Sequence, residues 1–233
     1  MATKLSPPLL ARYEQAAYEY SCRLKIENLM EARPQATQRE ITLESLALLK
    51  ARRADVHVFN ELLIQYPRPR QSKLGQVVPD NMVVLSDKPI KATTSFNLPF
   101  EPAGPFWVLE YVSKGSKRKD YEENHRKYER ELRVPYYLVF YSHGQKLTLY
   151  HHNGRRYVTV KANEHGRYAI PELELEVGLL DGWVRYWNKG QLLPLPAEMQ
   201  RELSEAKRRV AQLEEELAVL KQRMRQNGSS GRS

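Results

Sequence analysis

The sequence lacks several features on which other classes of protein depend. Cys22 is the only cysteine in 233 residues, which excludes an internal disulfide and a zinc site built from cysteines. The longest apolar runs have the length of strands and are too short to span a membrane. There is no glycine-rich phosphate loop, no Gly-x-Ser-x-Gly elbow and no His-Glu-x-x-His helix. We therefore expect a protein of the reducing cytoplasm without a membrane segment.

The composition points to a packed domain with a basic surface. Hydrophobic residues make up 41% of the chain and charged residues 28%, as in ordinary globular proteins. The 37 basic side chains exceed the 28 acidic ones by nine. Residues 114–133 alone carry eight basic and five acidic side chains. This balance favours a polyanionic partner, and a nucleic acid is one such partner.

The order of predicted elements indicates an α/β fold. Apolar residues at helical spacing predict a helix over residues 8–26, and a capping-box pattern of Thr37 and Glu40 predicts a second helix that ends near Arg53. A basic helix is expected at about Lys119–Leu132, since Pro135 disfavours helix at the residue before it. Together these elements predict a mixed sheet flanked by helices. The predicted strands are 56–59, 62–64, 82–85, 106–112, 136–141, 146–151 and 156–161.

The C-terminal region has a different pattern. Apolar residues at alternating spacings of four and three predict a coiled coil over residues 197–226. With Leu203 at heptad position a, the side chains that would face each other across the seam of a parallel dimer carry opposite charges. These pairs are Glu202–Lys207, Arg209–Glu214 and Glu216–Lys221. We therefore predict a homodimer through this segment, although a helix docked on its own domain would show a similar seam. The predicted organisation is a domain at 1–193, a linker at 194–196, the coiled coil and a disordered tail at 227–233.

Two acidic residues stand next to strands that are otherwise apolar. Asp80 follows Pro79 and leads into the strand that begins near Met82, and Glu110 lies inside the apolar run 106–112. Burial of a lone carboxylate is costly unless a cation or hydrogen bonds offset the cost. Two acids at the ends of neighbouring strands are what a divalent-metal site would use. The alternatives are that Asp80 caps a turn and that Glu110 forms a salt bridge with a lysine.

These motifs, in this order, resemble the Uma-two family of restriction endonucleases, which belongs to the PD-(D/E)XK nuclease superfamily. The resemblance covers roughly residues 40–180. It is carried by Pro79-Asp80, by the run 108–113 around Glu110, by the charged helix that ends in Lys127-Tyr128 and by the run 134–139. It implies a restriction-endonuclease-like core and a magnesium- or manganese-dependent phosphodiesterase. Asp80 and Glu110 would hold the metal, together with the backbone carbonyl of Tyr111 or Val112.

The resemblance also implies a lysine near the metal. The superfamily places this lysine two residues after the glutamate, where this chain has Val112. Family members usually supply it from the following helix, four residues before a tyrosine, and counting back from Tyr128 gives Asn124. Lys127 lies on a neighbouring part of the same helical face and is the best candidate. Further candidates are Lys114 and Lys119.

Two functions are compatible with these patterns. One is a dimeric, metal-dependent DNA endonuclease in which Asp80, Glu110 and Lys127 act together. The other is an adaptor without activity, in which a degenerate nuclease core binds nucleic acid or protein. Asn124 and Val112, at the two positions where lysine is usual, favour the adaptor.

Overall fold

The computed structural model describes residues 7–23, 33–69, 71, 73–112 and 119–229. The chain divides into two compact units, Met1–Leu193 and Pro194–Ser233. Within the described ranges no helix is both long enough and apolar enough to cross a membrane.

Two helices precede the first strand. Helix α1 spans Pro7–Arg23 and helix α2 spans Arg33–Arg52. The start of α2 predicted from Thr37 is therefore wrong by four residues. Pro34 explains the difference, because proline is favoured in the first helical turn, where its missing N–H is not needed. The earlier start makes Gln35 part of the helix.

The central sheet is mixed. Its six strands lie in the order β1-β4-β6-β7-β8-β9. Strands β6 and β7 are parallel, and the other neighbours in this sheet are antiparallel. A mixed sheet flanked by helices is confirmed. The strands are β1 Val56–Asn60, β4 Asn81–Leu85, β6 Pro105–Val112, β7 Tyr136–Tyr141, β8 Lys146–His152 and β9 Tyr157–Thr159.

Two smaller sheets cover the central one. A three-stranded sheet has the order β3-β2-β5 and a four-stranded sheet has the order β10-β11-β12-β13. Strands β3, β5 and β10–β13 have no counterpart among the predicted elements. The strands are β2 Leu63–Tyr66, β3 Gly75–Val77, β5 Ser95–Asn97, β10 Tyr168–Ile170, β11 Leu175–Leu180, β12 Trp183–Asn188 and β13 Gln191–Leu192.

The two faces of the central sheet have separate hydrophobic cores, and β6 contributes to both by alternation. Trp107, Leu109 and Tyr111 join the core shared with α2 and the four-stranded sheet. Val108 and Val112 join the core shared with the three-stranded sheet and Tyr128. Glu110 lies between these two valines in the period of two, so its carboxylate belongs to the second face.

Parallel strands need a crossover connection, and here it is a helix of unusual winding. Two π-helical segments, Lys119–Asn124 and Lys127–Leu132, are joined by His125 and Arg126. We call residues 119–132 the crossover helix. The predicted position of this helix is confirmed, and its π-helical winding was not predicted. The helix ends where Arg133 adopts a left-handed conformation with φ of 52°. π-Helical turns are rare and frequently occur at functional sites.

The side-chain amide of Gln38 connects α2 to β12. It donates to the carbonyl oxygen of Val184 at 3.1 Å and accepts from the N–H of Val184 at 2.8 Å. Gln38 is 1% exposed. A strand residue normally exchanges such a pair of hydrogen bonds with a neighbouring strand. Here the Gln38 side chain takes the place of that strand.

The second unit is dominated by helix α3, Pro196–Ser229. Glu198 accepts a hydrogen bond from the Leu195 N–H at 2.7 Å, and Pro196 stands at the first helical position; both are common ways to begin a helix. The helix continues to Ser229, so the tail predicted to start at 227 begins inside the helix. Residues 230–233 of that tail lie outside the described residues.

Candidate active site

Asp80 and Glu110 lie at the same end of two neighbouring strands of the central sheet, β4 and β6. Asp80 directly precedes β4, and Asn81 pairs with Leu109 of β6 in the antiparallel ladder. Continuing this register by one residue brings Asp80 beside Glu110. The Asp80 Oδ2 atom accepts a hydrogen bond from the backbone N–H of Tyr111, the residue after Glu110, at 2.5 Å. The two predicted acids are therefore neighbours, and backbone hydrogen bonding fixes one of them.

Glu110 is buried, with 3% of its surface exposed, and the crossover helix supplies donors to its carboxylate. Glu110 Oε1 accepts from Asn124 Nδ2 at 2.9 Å and from the Tyr128 hydroxyl at 2.8 Å. Both donors are also buried. Donors of this kind favour the ionised form of a carboxyl group and offset the cost of its burial. These two hydrogen bonds offset part of the cost of burying the glutamate.

The Tyr128 hydroxyl acts as a neutral donor. Burial, reinforced by the negative charge of Glu110, raises the pKa of Tyr128 well above its ordinary value. The phenol therefore keeps its proton over the whole physiological range. Its ring packs against Tyr137 with a centroid distance of 5.1 Å, which holds the hydroxyl in place.

Lys127 directly precedes Tyr128 on the crossover helix. Its Nζ atom donates to the backbone carbonyl of Gln76 on β3 at 3.1 Å. Gln76 lies four residues before Asp80, so the ammonium contacts the segment that leads to the first acid. Of the other lysines considered, Lys114 lies outside the described residues, and the side chain of Lys119 is not among those described.

The backbone carbonyls after Glu110 differ in their surroundings. The carbonyl oxygen of Tyr111 accepts a hydrogen bond from Gln35 Nε2 at 3.0 Å. Val112 is the last residue of β6 and pairs with Tyr141 of β7. Its side chain is buried in the second core, so only its backbone could serve a metal.

A buried polar network supports the site from the other face of the sheet. The Tyr111 hydroxyl lies 2.7 Å from Asn81 Oδ1 and 2.7 Å from Thr42 Oγ1, and Thr42 Oγ1 lies 2.8 Å from the Tyr186 hydroxyl. Burial raises the pKa of the Tyr111 hydroxyl well above its ordinary value. Thr42 is seven residues after Gln35 in α2, so one helix holds Tyr111 by its carbonyl and its side chain together.

The donor atoms suit a hard divalent cation, although they are few. No group of three or more histidine, cysteine, aspartate or glutamate side chains within the described part of the chain could hold a metal ion. Asp80 and Glu110 form a pair. Magnesium is commonly bound through one or two carboxylates and keeps several of its waters. The pair is therefore compatible with magnesium.

Gln35 was absent from the predicted site, and Tyr111 and Tyr128 had been assigned other roles. Gln35 escaped notice because the predicted helix started after it. The N–H of Tyr111 is a backbone donor that no side-chain motif reveals. Tyr128 served there only to locate Asn124, yet both contact the same oxygen of Glu110. Their spacing of four on a predicted helix is the signal that could have paired them.

The mixed sheet, its crossover helix and the paired acids define a protein of the restriction-endonuclease-like class. The chain belongs to the Uma2 family: the model of that family, described as "Putative restriction endonuclease", matches residues 9–181. The resemblance to the Uma-two family is thereby confirmed.

Among solved structures, the chain is similar to the crystal structure of a putative nuclease belonging to DUF820 from Anabaena variabilis. The two share 12% identity with a TM-score of 0.46, over 62% of this chain and 75% of the other. None of the curated proteins matches the chain.

Proposed function

We propose that the protein is a metal-dependent endonuclease that hydrolyses phosphodiester bonds of DNA. Asp80 and Glu110 would bind magnesium or manganese, together with the backbone carbonyl of Val112. The observation that carries the proposal is the buried Glu110 carboxylate beside Asp80, at the shared end of strands β4 and β6 in a chain that belongs to a restriction endonuclease family. The net charge of +9 supports a polyanionic substrate, and we expect the protein to act in the cytoplasm.

The roles of the side chains follow from their contacts. A bound magnesium ion would supply a polarised phosphoryl oxygen and a more acidic water. Asn124 and Tyr128 orient the Glu110 carboxylate, and the Tyr111 N–H orients Asp80. Lys127 would add positive charge near the scissile phosphate, where charge develops in the transition state. Its hydrogen bond to the Gln76 carbonyl restrains the ammonium next to the segment that leads to Asp80.

Nicking of supercoiled plasmid DNA in magnesium or manganese tests this proposal. We expect Asp80→Ala and Glu110→Ala to abolish nicking and Lys127→Ala to reduce it. Glu164→Ala is the matched control, because Glu164 is an exposed acid in a loop that follows β9. Nicking that is unchanged in purified Glu110→Ala protein would identify a contaminating nuclease and refute the proposal.

A specific observation favours the adaptor as the second candidate. Asn124 occupies the position that the family resemblance assigns to a lysine, and its amide already donates to Glu110. A neutral amide adds no positive charge beside a phosphate. Titration calorimetry separates the candidates: DNA binding without uptake of magnesium or manganese at millimolar concentrations would support the adaptor, and metal uptake that Glu110→Ala removes would support the enzyme.

We also propose that helix α3 forms a parallel coiled-coil homodimer through residues 197–226. Its apolar seam is exposed in the single chain: Leu203, Val210, Leu213, Leu217 and Leu220 have exposures between 48% and 58%. A seam of this length is costly to leave in water, and a second copy presents the same seam with opposite flanking charges. Two sites in a two-fold assembly would match the two strands of DNA.

A further inference from the structure

The crossover helix that contacts Glu110 also carries part of a cluster of charged side chains, and the roles above leave this cluster unused. Its centre is Glu131 on the crossover helix. Glu131 Oε2 accepts from Arg68 Nε at 2.8 Å and from the Tyr66 hydroxyl at 2.9 Å. Glu131 Oε1 lies 2.9 Å from Arg126 Nη1. One carboxylate therefore gathers two guanidinium groups that come from distant parts of the sequence.

The cluster is rigidly supported. The side chain of Glu131 is 18% exposed, and Tyr66 is almost fully buried. Gly75 makes room for the Tyr66 ring, because a Cβ atom at Gly75 would lie 2.1 Å from Tyr66 Cε2. Burial, reinforced by the bond to Glu131, raises the pKa of Tyr66 well above its ordinary value. Tyr66 thus stays a neutral donor that fixes the carboxylate between the two arginines.

The two arginines keep an excess of positive charge and of hydrogen-bond donors. Two guanidiniums and one carboxylate leave one net positive charge, and across the described ranges neither arginine has a second acidic partner within salt-bridge distance. Each guanidinium carries five N–H donors and reaches Glu131 through one nitrogen. The side chains are open to solvent, with exposures of 24% for Arg68 and 54% for Arg126.

The cluster is connected to the candidate active site by the crossover helix. Arg126 directly precedes Lys127, whose ammonium contacts the segment before Asp80. The same helix presents Asn124 and Tyr128 to Glu110. A ligand that touched Arg126 would therefore lie against the element that also forms one wall of the acid pair.

We propose that Arg68 and Arg126, held by Glu131, form a binding site for a backbone phosphate of the nucleic acid. Guanidinium groups match the oxygens of a phosphate with paired N–H donors. The restraint by Glu131 removes much of the side-chain entropy that free arginines would lose on binding. The identity of the ligand rests on the proposed function. The residues that would bind it lie outside the acid pair.

Salt-dependent DNA binding tests the site. Fluorescence anisotropy with a labelled DNA duplex, in EDTA so that no cutting occurs, gives the slope of log K against log salt. Loss of one phosphate contact makes that slope shallower by about 0.9. We expect this change for Arg126→Ala and for Arg68→Ala. Arg126→Lys keeps the charge but loses the fork, so its affinity should fall between those of the wild type and Arg126→Ala.

Arg155→Ala is the matched control. Arg155 is an exposed arginine in the turn between β8 and β9, at the opposite end of the strands from Asp80 and Glu110. It removes the same charge and should leave the slope unchanged. Circular dichroism of each variant verifies that the fold is retained.

The outcomes separate this proposal from the proposed nuclease activity. If Arg126→Ala, Arg68→Ala and Arg155→Ala all bind DNA with the affinity and the salt slope of the wild type, the phosphate site is overturned and the nuclease proposal is left intact. A shallower slope in the two cluster variants, in a protein that never nicks DNA, would support the phosphate site and refute the nuclease. Absence of any DNA binding by the wild type would overturn both.

Discussion

Replacement of Tyr128 by phenylalanine measures how strongly the crossover helix holds Glu110. The change removes the hydroxyl that donates to Glu110 Oε1 at 2.8 Å and keeps the ring that packs on Tyr137. Hydrogen bonds to charged groups contribute about 1.5–3 kcal/mol. Because both residues are buried, water cannot easily replace the lost donor. We therefore expect Tyr128→Phe to lower the free energy of unfolding by about 2 kcal/mol.

Urea unfolding followed by tryptophan fluorescence is the appropriate assay. Trp107, Trp183 and Trp187 are the three tryptophans of the chain, and all lie in the first compact unit. The signal thus reports on that unit alone. In a Glu110→Gln background the partner is neutral, so the same change should cost only about 1 kcal/mol.

Tyr150→Phe is the control, since Tyr150 is half-buried and its hydroxyl has no hydrogen bond to any of the described residues. It should cost less than about 0.5 kcal/mol. A cost for Tyr128→Phe as small as this, or one that is equal in both Glu110 backgrounds, would refute the view that Tyr128 stabilises an ionised Glu110.

Two further predictions concern other parts of the chain. Burial among Tyr137, Tyr150 and Tyr157 lowers the pKa of His125. Between that pKa and about 6.5 the unfolded state binds more protons than the folded state, so the free energy of unfolding should fall as pH falls. Denaturation at pH 7 and pH 5 should show a smaller loss of stability for His125→Phe than for the wild type, and an identical loss would contradict this prediction. Deletion of residues 197–233, or Leu213→Asp with Leu217→Asp, should halve the mass measured by light scattering. Val219→Asp is the control, because Val219 is 45% exposed but lies off the seam at heptad position c. A dimer that survives the seam substitutions would exclude the coiled coil.

The sequence was most informative where a residue type conflicted with its surroundings. Glu110 in an apolar strand predicted a compensated carboxylate, and the structure supplies the compensating donors. Strands β6 and β7 and the crossover helix between them followed from apolar runs on either side of a charged segment. These features depend on local pattern, which a single chain displays directly.

Other elements were missed although their turn signals were present. Asp181-Gly182 joins β11 to β12, and Lys189-Gly190 joins β12 to β13. All four residues have positive φ, at 52°, 80°, 51° and 78°, as type I′ hairpin turns require. An aspartate-glycine pair is among the strongest hairpin signals, so at least the β11–β12 hairpin could have been predicted. Strands β3 and β5 have only three residues each, which is too short for a period to be recognised.

The contacts between distant residues could not have been predicted. Lys127 meets the Gln76 carbonyl, and Gln35 meets the Tyr111 carbonyl, across 51 and 76 positions of the chain. Such bonds depend on how sheets and helices are layered, and a backbone acceptor leaves no trace in the sequence. The position of the lysine relative to the acids therefore required the structure.

The pairing of Gln38 with Val184 has a consequence for the solubility of the protein. Strand β13 pairs with β12 at Trp187 and Asn188, and the Leu193 N–H donates to the Tyr186 carbonyl. The backbone of Val184 lies beyond these contacts and would otherwise form an open edge. Unpaired strand edges invite pairing with another chain and aggregation. The buried amide of Gln38 closes that edge with both a donor and an acceptor. Gln38→Leu should therefore make the protein more prone to form intermolecular β-structure, even where its folded activity persists.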